Sequence, residues 1–365
     1  MPALPARKLA LMWAEFGPYH RARAAALERH FRVYRIQLRA GEHPRGACGR
    51  TVTLSGGHAR ALSLWRALDR MQPDALLIPG YRDPLAVAAA LWGRTHNTPA
   101  ILMSDSTGGD WPRHAVREAL KGAAIRRLFD GAIVSGKRAA RYLDNLGFHA
   151  KPMGFCYDVV DNEFFARQCA ILRRERTAAD FGLPPEYFLF AGRFIPEKNL
   201  PGLLRAFSAY AENGGGWSLV IAGAGPLDGT IRDMIRGNRF LRRVILTGNR
   251  DYAELAPLYA FARCLVLSSV SETWGLVVNE AMASGLPVLV SSRCGCVDDL
   301  VTHGGNGFVF DPLDEPQLTR LMLAFSSMPE RERLDMGARS AEIISTFALT
   351  AWADSVRGLL RVCGA

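Results

Sequence analysis

SETWGLVVNEAMASGLPVLVSS, residues 271–292, reads in order as polar turn, helix, stop and strand. The apolar run Cys264–Ser268 before it has the length and composition of a strand. A helix starting near Gly275 follows, and Gly285 sits where a helix end takes a left-handed residue. Leu286-Pro287 cannot extend that helix, so Val288–Ser291 begins a new strand. Strand, helix, strand within 28 residues is a parallel crossover unit, and parallel sheets are covered on both faces.

The same rhythm runs outward in both directions. Downstream of residue 186 the strands are expected at Tyr187–Ala191, Ser218–Ala222, Val244–Thr247 and, after the quoted stretch, Phe308–Phe310. Upstream they are expected at Leu9–Ala14, Phe31–Leu38, Ala75–Pro79, Ala100–Ser104 and Gly131–Ser135. Helices are expected over Arg21–Arg29, Ala59–Met71, Leu85–Arg94, Ala115–Leu128 and Lys137–Leu146, with Asp83-Pro84 as a cap and first helical residue. Residues 151–186 break the rhythm with a charged run, ILRRERTAAD, and read as a linker. With 365 residues there is material for about two domains. The sequence therefore predicts two doubly wound α/β domains in tandem, facing across a cleft lined by the carboxyl ends of both sheets.

Composition narrows the class. The chain is 49% hydrophobic and 22% charged, which excludes disordered, collagen-like and coiled-coil chains. No run of 18 apolar residues is present, and Leu9–Ala14 is too short for a signal-peptide core. Seven scattered cysteines suit a reducing compartment, so a cytoplasmic location is expected. Residues 1–150 hold 23 Lys and Arg against 11 Asp and Glu, whereas residues 151–365 hold 22 against 24. The basic excess lies wholly in the first part and implies an anionic partner there.

The chemistry should lie in loops after strands. Gly275 permits close backbone approach, and the amides of Leu276 and Val277 at the helix start suit a phosphate. Glu272 just before that helix and Glu280 inside it would repel a phosphate, and are better placed to accept hydrogen bonds from sugar or ribose hydroxyls. In FLFAGRFIPEKNLPGLLRAF, residues 188–207, a strand ends at Ala191-Gly192 and two cations follow, Arg193 and Lys198. They can converge on one pyrophosphate, Arg as a fork and Lys as a point charge. Each feature alone also fits a solvated loop or a helix cap. Cys294 and Cys296 lack a second Cys or His pair at zinc spacing, and no Asp-x-Asp triplet occurs, so no metal site is expected.

Together these residues resemble the family 4 glycosyltransferases, which have the GT-B fold. The family's Glu, seven residues, Glu pattern is matched by Glu272 and Glu280, and its Arg, four residues, Lys pattern by Arg193 and Lys198. VIAGAGPL (220–227) and ILTGN (245–249) are similar to the family's donor-domain turns, and FDGAIVSGKRAARYLDNLG (129–147) to the last strand and helix of its first domain. The resemblance implies a first domain over 1–165, with a helix at about 346–365 packing back on it, and a nucleotide-sugar domain over 166–345. It implies that Arg193 and Lys198 hold the donor diphosphate, that Glu280 binds ribose and that Glu272 contacts the transferred sugar. Gly192, Gly248, Asn249, Gly275, Leu276 and Val277 would complete the donor site. Gly17 would approach the diphosphate and Asp105 would face the transferred sugar.

The implied activity is metal-independent, retaining transfer from a UDP- or GDP-linked sugar to a glycan or lipid-linked acceptor, with no further cofactor and no nucleic-acid partner. A sugar-nucleotide epimerase and a non-catalytic nucleotide-sugar binder are the competing readings. An oxidoreductase is weaker, because Gly223-x-Gly225 is followed by Asp228 where the fingerprint needs a third glycine. Residues 111–131, WPRHAVREALKGAAIRRLFDG, suggest a basic amphipathic helix that docks on an anionic bilayer. Arg113, Arg117, Lys121, Arg126 and Arg127 supply its charge, and Ala115, Leu120, Ala124, Leu128 and Phe129 its apolar side.

Overall fold

The computed structural model describes residues 7–39, 51–54, 60–109 and 114–364. The described chain divides into two compact units, residues 1–160 with 347–365, and residues 161–346.

The first unit is built on a sheet of seven parallel strands: β1 (Lys8–Trp13), β2 (Arg32–Gln37), β3 (Thr51–Thr53), β4 (Ala75–Pro79), β5 (Ala100–Ser104), β6 (Gly131–Val134) and β7 (Met153–Gly154). Their spatial order is β3-β2-β1-β4-β5-β6-β7. Alternate residues along each strand go to opposite faces. Ala10, Met12, Leu76, Ile78, Leu102 and Val134 enter one buried cluster, while Leu9, Leu11, Leu77, Ile101 and Ile133 enter the other. This is why the strands read as unbroken apolar runs. The helix Leu349–Val362 closes the second face with Trp352, Val356 and Leu360, although it comes last in sequence. Each fully buried leucine here contributes about 1.5–3 kcal/mol.

The second unit has six parallel strands: β8 (Tyr187–Ala191), β9 (Ser218–Ala222), β10 (Val244–Gly248), β11 (Cys264–Leu267), β12 (Val288–Ser291) and β13 (Gly307–Phe310). Their order is β10-β9-β8-β11-β12-β13. In both sheets the order reverses beside the first strand, between β1 and β4 and between β8 and β11. Such switch points open a crevice at the carboxyl ends of the flanking strands.

Three expectations need correction. Residues 151–186 are not an open linker. They contain β7, the 14-residue helix Asn162–Glu175 and a short 3-10 turn, Ala178–Phe181. The charged run begins as the last turn of that helix, residues 171–175, and continues through the cap into the 3-10 turn; the helix buries Phe165 and Cys169 four residues apart and is capped by Asp161 accepting from the Phe164 amide. Strands β3 and β7 were not foreseen, because three and two residues are too few to show a pattern. The helix expected from Arg21 already starts at Pro18, where proline suits a first turn.

The helix Ala115–Leu128 forms as expected, but its apolar side is different. Phe129 is buried and Leu128 half-buried. The exposed apolar residues are Val116 at 73% and Leu120 at 67%, one turn apart. Arg126 is occupied by the Leu146 carbonyl and Lys121 by Glu118 and Tyr142. Arg113 lies outside the described residues.

Candidate active site

The switch point of the second sheet gathers the motif residues. After β8, Gly192 takes φ 155°, a conformation side chains resist, and its amide donates to Ala222 at the end of β9. The next turn is stitched to the turn after β9: the Phe194 amide donates to Ala224, and the Leu227 amide donates to Phe194. That stitching needs glycine. A Cβ on Gly223 would sit 1.9 Å from the Gly192 oxygen, and one on Gly225 would sit 2.6 Å from the Phe194 oxygen. Between these fixed points Arg193 projects as an exposed cation, with no ion-pair partner among the described residues.

The turn after β11 is tied to the same loop. Val270 donates its amide to the Glu197 carbonyl at 2.8 Å, and the Ser268 hydroxyl donates to the Lys198 carbonyl at 3.0 Å. These bonds bring Lys198 against Glu272, although 74 residues separate them in sequence. The ammonium donates to Glu272 Oε2, and the Ser269 hydroxyl donates to the same oxygen at 3.2 Å. Both side chains are only 15% exposed, so the pair is partly shielded from water and reachable from it.

Behind the pair the helix Leu276–Ala283 starts at Gly275, whose φ of 106° only glycine adopts readily. The Trp274 indole donates to Asn279 in the buried second turn and holds the entry angle. Gly295 lets the next loop close on this one, since its Cβ would meet the Thr273 oxygen at 1.8 Å. The Gly295 amide donates to Glu272 and the Cys296 amide to Trp274. The Leu276 and Val277 amides thus open a helix beside Lys198 and Glu272, a pre-formed seat for an anion.

Glu280 sits differently from Glu272. It is wholly buried and accepts the Tyr259 hydroxyl at 2.5 Å. Burial first, and the Glu280 carboxylate next, push the neighbouring Tyr252 phenol well above its ordinary range, so it stays a neutral donor. Gly248 ends β10 at φ 74° and accepts the Gly223 amide, which places the exposed Asn249 at the same edge of the sheet.

Two expected residues belong to the first unit. Gly17 caps the helix Pro18–Glu28 at the carboxyl end of β1, with an ordinary φ of −69°. Asp105 follows β5 and is half-buried. Beside Gly17, His20 packs on Trp13, with ring centroids 4.7 Å apart. Burial, then Arg23 and Arg21, push its pKa down to about 3, so the imidazole is neutral at physiological pH.

Sequence reasoning missed Ser269, Tyr259 and Asn279, the partners that hold the motif residues. It also missed the packing role of Gly223, Gly225 and Gly295. Only the glycines left a signal, as closely spaced pairs after a strand and within Cys294-Gly295-Cys296. Among the described residues no three His, Cys, Asp or Glu side chains gather as metal ligands.

Residues 173–342 match the family described as glycosyl transferases group 1. The chain is 28% identical over 257 residues to the alpha-D-kanosaminyltransferase of Streptomyces kanamyceticus, an alignment covering 69% of this chain and 63% of that one. It is 26% identical over 331 residues to the GDP-mannose-dependent alpha-(1-6)-phosphatidylinositol dimannoside mannosyltransferase of Mycobacterium tuberculosis, covering 86% and 80%. An Anabaena protein solved with UDP and glucose superposes with a TM-score of 0.77 at 16% identity, covering 98% of this chain and 100% of that one. The fold is GT-B.

Proposed function

We propose, from the match of residues 173–342 to the group 1 glycosyl transferases and from the switch-point geometry, that this chain transfers a hexose from a nucleoside diphosphate sugar to an acceptor hydroxyl. The observation that carries the reading is the convergence of Arg193, the Lys198–Glu272 pair and the helix start at Gly275 on one end of the second sheet. In the free chain Glu272 occupies Lys198. A donor diphosphate competes for that ammonium, and Glu272 then accepts from hydroxyls of the transferred sugar.

The sugar C1–O bond breaks, and its electron pair goes to the diphosphate oxygen. Arg193, Lys198 and the Leu276 and Val277 amides stabilise the charge that develops there. The acceptor oxygen bonds to C1 from the same face, and its proton passes to the departing phosphate, so configuration is retained. No protein nucleophile and no metal enter this route. The UDP in the Anabaena structure and the GDP-mannose in the mycobacterial relative's name support a UDP- or GDP-linked donor.

Incubation with UDP- and GDP-sugars, with and without glycan or lipid-linked acceptors, tests the reading. Release of nucleoside diphosphate that rises with acceptor is expected. A new sugar nucleotide with no release would indicate an epimerase, and binding without either would indicate a non-catalytic binder.

The two glutamates should separate by their effects. Glu272→Gln removes the charge that holds Lys198, so UDP or GDP affinity should stay within about threefold or tighten, while turnover falls by roughly tenfold or more. Glu280 is sealed in the free chain, so its contact with a ribose requires the covering side chains to part. Glu280→Gln should weaken the bare nucleotide by about tenfold, and Tyr259→Phe should not. Equal losses of nucleotide affinity in the two glutamate variants would show the roles to be wrongly divided.

The acceptor side of the proposal is a lipid-linked or otherwise anionic acceptor met at a membrane surface. The basic excess of residues 1–150 and the exposed Val116, Leu120, Arg117 and Arg127 on one helix support it. No helix among the described residues is long and apolar enough to cross a membrane. Co-sedimentation should require anionic vesicles and fall with salt. It should weaken in Arg117→Ser/Arg127→Ser, and again in Val116→Ser/Leu120→Ser. Protein that stays in the supernatant with anionic vesicles at low salt would contradict the membrane claim.

A further inference from the structure

At the opposite end of the second sheet, a cavity of 470 Å3 lies against the segments that enter β8, β11 and β12. Its charged lining is three guanidinium groups, Arg173, Arg263 and Arg333, against one carboxylate, Glu330. Two of the arginines are partly committed. Arg173 donates to the Ala260 and Ser284 carbonyls at the ends of two helices, and Arg333 donates to Met328 while lying 5.1 Å over the Trp217 ring.

Arg263 is not so committed. Its Nε is sealed from water with no hydrogen-bond partner, and its Nη1 stands 3.9 Å from Glu330, at the outer limit of an ion pair. Glu330 itself is 67% exposed, so it neutralises Arg263 weakly. The Arg263 side chain is 38% exposed, so it is the Nη groups, and not the sealed Nε, that a ligand in the cavity can reach. A doubly charged group with three acceptor oxygens would fit an Arg fork and the excess positive charge. Phe261 and the exposed Leu334 give the cavity an apolar side for the rest of a small molecule.

We propose that this cavity binds a small organic phosphate, separate from the donor, through Arg263 and Arg333 with Arg173 behind them. None of these residues belongs to the donor site, which lies at the other ends of the same strands.

Glycerol 3-phosphate, with glycerol as the uncharged control, tests this by calorimetry on the full chain. Saturable binding of the phosphate and none of glycerol is expected. Arg263→Gln/Arg333→Gln should weaken it by about tenfold or more, while Lys198→Ala should leave it unchanged. Absence of saturable binding at millimolar concentrations would overturn the proposal. So would equal binding in the arginine variant, or loss in Lys198→Ala, which would assign the phosphate to the donor loop. If the arginine variant does not fold, Glu330→Gln gives the opposite sign. It removes the competing carboxylate and should tighten binding several-fold, and no change would also overturn the proposal.

Discussion

Lys198→Ala and Arg193→Ala are each expected to slow transfer by roughly 30- to 900-fold, the equivalent of about 2–4 kcal/mol of transition-state stabilisation. The two losses should differ in kind. Arg193 is exposed and has no ion-pair partner among the described residues, so its removal takes away only what it gives the diphosphate. Folding stability should change by less than about 0.5 kcal/mol. Lys198 is the partner of a carboxylate that is 15% exposed, so its removal also leaves Glu272 facing the diphosphate uncompensated. Nucleotide affinity should fall further in Lys198→Ala than in Arg193→Ala. It should be partly restored in Lys198→Ala/Glu272→Gln, because residues in one ion pair are not additive. Steady-state kinetics and nucleotide titration of the four proteins measure this. Arg193→Ala with more than half of wild-type turnover would remove it from the donor site.

Gly223→Ala is expected to be strongly destabilising, because a backbone clash and a left-handed φ coincide there. The added carbon would lie 1.9 Å from the Gly192 oxygen, and φ at this position is 140°, where side chains are strained. Neither side can yield cheaply, because the Gly192 and Gly223 amides are both in the ladder that joins β8, β9 and β10. Overpacking and strain together should cost about 2–4 kcal/mol. For a unit of this size that is a fall in melting temperature of roughly 5–15 °C. The Arg193 loop is the part that must move, so nucleotide affinity should fall as well. Gly229→Ala is the control, since a Cβ there meets nothing within 4 Å. Thermal unfolding of both variants decides the point, and equal melting temperatures would contradict the packing account.

The parallel sheets were legible because fully buried strands need apolar residues on both faces, as at Leu9–Trp13 and Leu76–Ile78. The short edges β3 and β7 carry too few residues for any period to show. The helix Asn162–Glu175 was hidden because its buried stripe is only Phe165 and Cys169 amid charges. In the site, residue type and spacing pointed to Arg193, Lys198, Glu272 and Gly275. The Lys198–Glu272 pairing was not legible, because it depends on two loops brought together by the order β8-β11. The burial of Glu280 against Tyr259 was foreshadowed only by the apolar residues around it.

The most direct measurement is a calorimetric titration of UDP and of GDP into the wild-type chain and into Arg193→Ala/Lys198→Ala. One equivalent of at least one nucleotide is expected on the wild type, with binding weakened by roughly 30-fold or more in the double variant, whose fold stays intact by thermal unfolding. Failure of the wild type to bind either nucleotide, or equal affinity in the two proteins, would contradict a donor site built on the β8–β11 switch point.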